Sequence, residues 1–458
     1  MKLLISLLLV IILCIVYRES RVSYAKGFTL YFTICAFCFQ GSYFYLSPLK
    51  FLNVGLLMFT FLYWKKKIGK NEQLPIDLKR LFYTYFFFQI ILLVLSSFND
   101  GLSLSTQVYS FLKFSYLKFG LAFLAFFAIK QKRDIERFNR YLKIITFFVC
   151  IYGIIEYFTH INVYASIMGK AFPDLQDVSE GFYASERGII SGRIVGTLMH
   201  ALNFGQILIV FLGYFTIIRK EMGLKNYYIL ATFILITITF TGSRSCVLPA
   251  YFLYGVCVLV DSRSRIGIFK LLFFIGIPIL LLLKNITFSE EVQSTINSFF
   301  FFWSEDKAGE NLGGSSVDFR EQQWEMVLYI LGKNFILFGR GIGFMSTGDY
   351  AQFQETMVGA ESILFTYTME QGLLGLVAFL ILLTCLGKIM GKYCKKTYGK
   401  QETLIYIFIL SYMMSLIFTG DRSSSYAFFT LALVYIKSNM ILNNSNILRT
   451  KKKLLMEF

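Results

Sequence analysis

Long apolar runs with short polar connectors between them make up most of this chain. Each run is roughly 15–25 residues long, which as a helix is enough to cross the hydrocarbon core of a bilayer. Hydrophobic residues account for 56% of the 458 residues, more than a soluble protein of this size can bury. The runs do not alternate apolar and polar residues with a period of two, which argues against an outer-membrane barrel. The sequence therefore predicts an all-α polytopic integral membrane protein.

Counting the apolar runs gives about 13 transmembrane helices, or about 12 if the second or third run is a re-entrant segment. The predicted helices cover residues 3–17, 27–46, 50–64, 81–97, 107–129, 141–159, 196–217, 226–242, 246–260, 266–284, 361–387, 402–419 and 424–441. Residues 1–17 resemble a signal sequence without a small-residue cleavage site, so we expect them to remain as the first helix. The predicted regions are helices 1–10 (residues 1–284), a large loop (285–360), helices 11–13 (361–441) and a basic tail (442–458).

The positive charge of the chain lies in the short connectors. The net charge is +17, from 45 lysines and arginines against 28 acidic residues. In a soluble protein this balance would favour nucleic-acid binding, but short basic loops between membrane helices mark the cytoplasmic side. The basic connectors are Lys65 to Arg80, Lys130 to Lys143, Arg219 to Lys225, Arg263 to Lys270, Lys388 to Lys400, and Arg449 to Lys453. Residues 98–106, 160–195, 285–360 and 420–424 are then extracytoplasmic, and we expect no nucleic-acid partner.

Cysteine and histidine are too sparse to predict a metal site or a disulfide framework. The chain has 8 cysteines, none of them in the large loop, and 2 histidines, His160 and His200. Cys35 and Cys38 lie within an apolar run and are interpreted as core residues rather than as half of a zinc site. We expect no metal and no cofactor.

The large loop has structural signals of its own. Residues 317–332 carry apolar side chains at helical spacing, with Asp318 near the start and Gly332 at the end. They predict an amphipathic helix that lies on the membrane surface or covers the bundle. Residues 339–343 alternate glycine with other residues and predict a tight turn before the next membrane helix.

Several arginines occupy short segments on the predicted outer side. They are Arg187 and Arg193 before a predicted helix, Arg244 beside Ser243 in the turn 241–245, Arg320 four residues before Trp324, and Arg340 in the glycine turn. A guanidinium binds phosphate oxygens through two parallel N–H donors and does not deprotonate, so such a cluster suits a pyrophosphate. Arg193 and Arg244 are the leading candidates.

Each of these residues also has a structural interpretation. An arginine at a helix end commonly extends to lipid headgroups or pairs with a carboxylate, and Glu186 is adjacent to Arg187. Arg340 can cap the loop helix, and Trp324 can anchor that helix at the membrane interface.

Glu361 is the acidic residue at the point where the large loop turns into an apolar helix. A carboxylate there can stabilise the helix dipole, or it can act as a general base for an acceptor hydroxyl. His200 competes for the role of base, although a histidine one turn into a helix can also be a core residue.

The order of these motifs resembles the O-antigen polymerase and ligase superfamily, over roughly residues 190–380. The motifs are Arg193-x-x-Gly196, Thr241-Gly-Ser-Arg244-Ser, Arg320-x-x-x-Trp324, Gly339-Arg-Gly-Ile-Gly343, Ala-Glu361-Ser and Glu370-Gln-Gly-Leu-Leu-Gly375. The resemblance implies a metal-independent, GT-C-like glycosyltransferase that uses undecaprenyl-pyrophosphate-linked glycans at the outer face of the bacterial cytoplasmic membrane. By the same resemblance, Arg193 and Arg244 would hold the pyrophosphate.

The chain departs from the ligases of that superfamily at one position. Those ligases usually carry histidine followed by asparagine where this chain has Glu361 and Ser362. The departure favours a polymerase of polysaccharide repeat units, in which Glu361 accepts the acceptor's proton and Arg193, Arg244 and Arg320 stabilise the leaving diphosphate. We assign Arg320, Arg340, Arg187, Trp324, Ser243 and His200 to substrate binding.

Two alternatives to a polymerase remain open. A ligase would transfer the glycan to another acceptor from the same site, and a flippase or transporter would move the same lipid-linked sugars. A transporter predicts charges along a central cavity on several helices, and here the mid-helix positions are nearly free of charge, with exceptions such as Lys113, Lys118 and Glu156. The expected partners are lipid-linked donor and acceptor oligosaccharides, membrane lipid and a possible chain-length regulator.

Overall fold

The structure of the protein is a computed structural model. It describes residues 2–37, 43–44, 47–66, 72–98, 102–170, 193–261, 317–347, 350, 353, 362–394, 400–420 and 424–454. Its helices are α1 (Lys2–Val22), α2 (Tyr24–Phe37), α3 (Phe51–Lys65), α4 (Ile76–Ser97), α5 (Leu104–Ala128), α6 (Lys132–Thr159), α7 (Val163–Gly169), α8 (Ala201–Met222), α9 (Leu224–Phe240), α10 (Arg244–Asp261), α11 (Val317–Phe335), α12 (Ile363–Tyr393), α13 (Gln401–Thr419) and α14 (Ser425–Leu454).

The described helices confirm the predicted fold class in its coarse form. Within the described part of the chain, 8 helices are long and apolar enough to cross a membrane, namely α1, α4, α5, α6, α8, α12, α13 and α14. The apolar helices α9 and α10 are shorter. The chain is therefore a helical, multi-pass membrane protein. The helix predicted at 266–284 and the large loop as far as residue 316 lie outside the described residues.

Several predicted boundaries differ from the structure; for example, α6 begins at Lys132 and not at 141, and α8 begins at Ala201 and not at 196. The helix predicted at 27–46 ends at Phe37, and a short antiparallel hairpin follows, β1 (Tyr43–Phe44) with β2 (Ser47–Lys50). Pro48 accounts for the second strand, because a proline disfavours helical backbone in the residue before it. At the other end of the chain, α14 continues to Leu454, beyond the predicted boundary at 441. No glycine or proline interrupts the sequence there, so the helix has no local reason to end.

Helix α8 lies at the centre of the bundle. Nearly every residue from Phe204 to Arg219 is buried, as expected for a helix that is apolar on all sides. Gly213 allows α13 to approach closely, since a Cβ there would lie 1.9 Å from the ring of Phe408. Small residues at helix contacts are how membrane helices pack tightly, because lipid is as apolar as their side chains.

A buried ion pair joins α8 to α10 at one end of the bundle. The Nε of Arg219 donates to Oδ2 of Asp261 at 2.7 Å, and its Nη2 donates to Oδ1 at 2.6 Å. Arg219 also donates to the carbonyl of Thr216 at 3.1 Å, and Gln401 donates to the carbonyl of Ile217 at 2.6 Å. We call this end of the bundle the ion-pair end. The opposite end, at which α8 begins, is called the site end.

We expect Asp261→Asn to lower the free energy of unfolding by about 3–5 kcal/mol, because it leaves the Arg219 guanidinium buried without its carboxylate. Replacing both residues, as Arg219→Met with Asp261→Leu, should recover most of that loss. Thermal unfolding of the purified protein in detergent measures both effects. The matched control is Glu136→Gln, which breaks an exposed pair with Lys132 and should change little. A double variant as unstable as the single one would contradict this account.

Candidate functional site

Two arginine motifs that are far apart in the sequence lie side by side at the site end. Arg193 is buried, and its Nε donates to the carbonyl of Thr241 at 2.8 Å. The next residue, Ile194, donates its amide to the carbonyl of Phe240 at 3.3 Å. The segment that carries Arg193 therefore contacts the turn between α9 and α10. Its hydrogen-bond acceptor there, Thr241, is three residues before Arg244 in the sequence.

The turn between α9 and α10 is as tight as the sequence predicts. Gly242 has a φ of 60°, which favours glycine. The hydroxyl of Thr241 donates to the carbonyl of Ile238 at 2.6 Å and accepts from the amide of Ser243 at 3.3 Å. Ser243 is buried, with its hydroxyl 2.9 Å from that of Ser245. Arg244 begins α10, and its side chain lies outside the described part of the structure.

The starts of α8, α10, α12 and α14 lie at the site end, and side chains tie them to the neighbouring helix ends. Near the start of α8, Gln206 donates to the carbonyl of Gly420 at 2.7 Å, and the hydroxyl of Ser424, next to the start of α14, donates to Gln206 at 3.4 Å. The hydroxyl of Ser362, which caps α12, donates to the carbonyl of Ile417 in α13. Helix N-termini carry partial positive charge, so the starts of α8, α10, α12 and α14 add to the charge of Arg193.

The structure places the other candidate residues less centrally or does not describe them. His200 is partly buried and directly precedes α8. Trp324 is partly buried, with its ring centroid 6.1 Å from that of Phe365. Arg320 lies in α11, and its side chain is outside the described part of the structure. Arg187 and Glu361 lie outside the described residues.

Arg340 holds the end of the loop helix. Its Nε and Nη2 donate to the carbonyl of Ile330 at 2.9 and 2.6 Å, and its guanidinium lies 4.1 Å from the centre of the Phe335 ring. Helix α11 is interrupted at Gly332, with a φ of 56°, where the sequence predicts its end. The geometry of Arg340 is thus that of a helix cap, the structural interpretation of this residue.

The loop helix packs on α12 through an apolar cluster. The buried members of the cluster are Val327, Ile330, Leu331, Phe335, Phe344, Tyr350, Phe365 and Met369. Burial raises the pKa of the Tyr350 phenol above its ordinary value. The predicted amphipathic helix at 317–332 therefore corresponds to α11, which covers the first part of α12.

Helix α12 is broken at Gly372, and the glycine turn of the loop fills the break. Gly372 has a φ of 67° and a ψ of −177°. Four backbone hydrogen bonds replace those lost at the break: Arg340 N to Met369 O (2.8 Å), Gly341 N to Glu370 O (3.0 Å), Leu373 N to Ile336 O (2.9 Å) and Leu374 N to Leu337 O (3.3 Å). Residues 336–341 therefore supply the backbone hydrogen-bond partners that a continuous helix would have supplied.

The two glycine motifs of the sequence are thus partners. A Cβ at Gly339 would lie 2.4 Å from the amide nitrogen of Gln371, and a Cβ at Gly372 would lie 2.2 Å from the carbonyl of Leu337. Sequence reasoning found both motifs but treated them separately. One sequence signal could have indicated that they pair. Each motif has a glycine next to polar residues, and a continuous helix would not require a glycine at either position.

Two ionisable residues near the break, the partly buried Glu370 and the buried Lys118, were not assigned a role from the sequence. The carboxylate of Glu370 accepts from the amide of Gly343 at 3.1 Å. The ammonium of Lys118 donates to the hydroxyl of Tyr367 at 2.7 Å and lies over the rings of Phe114 and Phe379, at 4.5 and 4.4 Å. Such contacts offset part of the cost of burying charge at membrane depth.

Comparison with known proteins adds no relative to this picture. No protein-family model matches the chain, and no curated protein matches it significantly. Within the described residues, no group of three or more histidine, cysteine, aspartate or glutamate residues is placed to hold a metal ion.

We expect Gly372→Ala and Gly339→Ala each to destabilise the protein by more than about 1 kcal/mol, because both need positive φ and leave no room for a Cβ. Loss of the docked segment should also speed trypsin cleavage after the exposed Lys333. Thermal unfolding and limited proteolysis in detergent measure the two effects.

The control for these substitutions is Gly120→Ala in α5. A Cβ at Gly120 would lie 3.5 Å from Leu56, an ordinary contact, so this variant should unfold and be cleaved like the wild type. If all three variants behaved alike, the close pairing of the two glycine motifs would be wrong.

Proposed function

We propose that the protein is a polymerase of polysaccharide repeat units, acting on undecaprenyl-pyrophosphate-linked oligosaccharides at the outer face of the cytoplasmic membrane. The observation that carries this proposal is the contact between Arg193 and the turn that leads into Arg244. The contact brings two arginine motifs to one place at the end of a membrane bundle, beside the starts of four helices.

The electrostatics of the site end support a pyrophosphate ligand. A diphosphate needs donors and positive charge, and the site end offers a buried guanidinium and several helix N-termini. Positive groups held in place in a poorly hydrated site stabilise developing negative charge more strongly than water does. Arg244 and Arg320 complete the proposed anion site.

The proposed reaction is a single displacement at an anomeric carbon. A hydroxyl oxygen of one lipid-linked glycan attacks that carbon on the other, and the bond from the carbon to the pyrophosphate oxygen breaks. The electron pair leaves with undecaprenyl pyrophosphate, whose charge Arg193, Arg244 and Arg320 stabilise. Glu361 accepts the hydroxyl proton. The donor brings its own leaving group, so the step needs no nucleotide.

The break in α12 favours a second candidate, a flippase for lipid-linked oligosaccharides, because many transporters bind substrate at broken helices. The carbonyls of Met369 and Glu370 at this break accept backbone amides of the loop segment, so they are occupied by the protein itself. This pairing makes the flippase the weaker candidate.

We expect Arg193→Ala to reduce polymer synthesis by about 10²–10³-fold, the loss seen when one preorganised donor is removed from an anion site. Arg244→Ala should have a similar effect. Arg193→Lys should retain a small part of the activity, because lysine keeps the charge but not the planar fork. The measurement is the length distribution of carrier-linked glycan in cells that lack the gene and express each variant.

The control is Arg140→Ala, an exposed arginine on α6 near the ion-pair end, and all variants are compared at equal amounts in the membrane. Single repeat units on the carrier in the deletion strain would support the polymerase. Finished polymer left on the carrier would point to a ligase, and carrier-linked units retained in the cytoplasmic leaflet would point to a flippase. Normal polymer from both alanine variants would overturn the proposal.

A further inference from the structure

A buried glutamate holds the backbone just after Arg193. Glu156 lies near the site end of α6 and is 1% exposed. Its Oε1 accepts the amide of Val195 and its Oε2 accepts the amide of Gly196, both at 2.9 Å. A carboxylate has two acceptor oxygens and no donor, so it can satisfy two neighbouring amides at once.

Asn162 holds the same segment through its carbonyl. Its Nδ2 donates to the carbonyl of Gly196 at 2.9 Å. Its Oδ1 accepts the amide of Ala165 at 2.7 Å and the hydroxyl of Tyr152 at 2.6 Å. The peptide units that follow Arg193 are therefore bound on the amide side by α6 and on the carbonyl side by the start of α7.

Packing restricts the segment further. Gly153, one turn before Glu156, leaves space for three side chains, since a Cβ there would lie 3.0 Å from Thr237 and 3.2 Å from both Ile194 and Phe204. Gly196 has a φ of 57°, and a Cβ on it would lie 2.6 Å from the ring of Phe204. The backbone from Ile194 to Gly196 is thus fixed by close contacts as well as by hydrogen bonds.

We propose that Glu156 is a positioning residue, which sets the guanidinium of Arg193 for the pyrophosphate of the lipid-linked donor. This inference rests on the proposed function. Arg193 is two residues from the amide that Glu156 binds, so a shift of this backbone moves the guanidinium relative to Thr241. A displacement of about 1 Å in a substrate-positioning group can cost roughly 10²-fold in rate.

The choice of a carboxylate supports a role beyond filling space. A buried carboxylate is costly in a membrane protein, and a neutral side chain that made one hydrogen bond would suffice to anchor a loop. Glutamine in its place would offer one acceptor oxygen and turn its NH₂ group towards the second amide. The test therefore compares Glu156→Gln, which keeps the size of the side chain, with Glu156→Asp, which keeps both acceptors.

The experiment uses the full-length protein in detergent or proteoliposomes, with lipid-linked repeat units as substrate. For Glu156→Gln we expect at least a tenfold fall in kcat with a smaller change in KM, and faster hydrogen exchange at residues 194–197. Glu156→Asp should recover part of both. The control on the same helix is Glu136→Gln, which should match the wild type. Glu156→Gln with wild-type kinetics and wild-type exchange at residues 194–197 would overturn the inference.

Two further outcomes separate this inference from the proposed function. If the wild type did not polymerise at all, the polymerase proposal would fail. Binding of inorganic pyrophosphate to the purified protein would then test Glu156 alone: about tenfold weaker binding by Glu156→Gln supports the inference, and unchanged binding overturns it. If Glu156→Gln only lowered thermal stability, with normal kcat and KM per folded molecule, its role would be structural and the inference would be wrong.

Discussion

A bilayer contains no water to satisfy backbone groups, so every irregular segment at membrane depth must find its partners within the protein. This constraint explains the most unusual parts of the fold. The break in α12 at Gly372 leaves carbonyls and amides without helical partners, and residues 336–341 of the loop pair with them. The segment after Arg193 likewise lies outside any α-helix, with only a short 3₁₀ turn at Gly196–Leu198, and Glu156 and Asn162 bind its amides and carbonyl. In both places, other parts of the protein supply the hydrogen-bond partners that the irregular backbone lacks.

The same constraint gives a physical reason for the glycines. Two backbone segments can form hydrogen bonds only at close range. A Cβ at Gly339 or Gly372 would lie within 2.4 Å of the backbone of the other segment. The loop is therefore attached to the bundle by its main chain as well as by the apolar cluster beneath α11. An attachment of this kind fixes the register of the loop, because a shift by one residue would place a side chain where only glycine fits.

The sequence predicts well what depends on local pattern. The apolar runs give most of the helices, Gly332 marks the interruption in α11, and the turn around Gly242 is a tight hairpin. It predicts poorly what depends on distant partners. Pro48 lies in a strand that only a hairpin stabilises, and nothing local to Glu156 indicates that its carboxylate binds residues 195 and 196. For Arg340 the sequence indicates the role of a helix cap but not its carbonyl partner, Ile330, because that partner depends on the kink in α11.

The charge balance at the site end follows from which helix ends meet there. The last carbonyls of α9 and α13 would oppose an anion, but four carbonyls at these helix ends already accept hydrogen bonds from the protein. Phe240 and Thr241 accept from the segment of Arg193, and Ile417 and Gly420 accept from Ser362 and Gln206. The starts of α8, α10, α12 and α14 and the Arg193 guanidinium add positive charge at the site end, and the buried carboxylate of Glu156 opposes them. The proposed pyrophosphate site depends on this balance between fixed positive groups and one buried carboxylate.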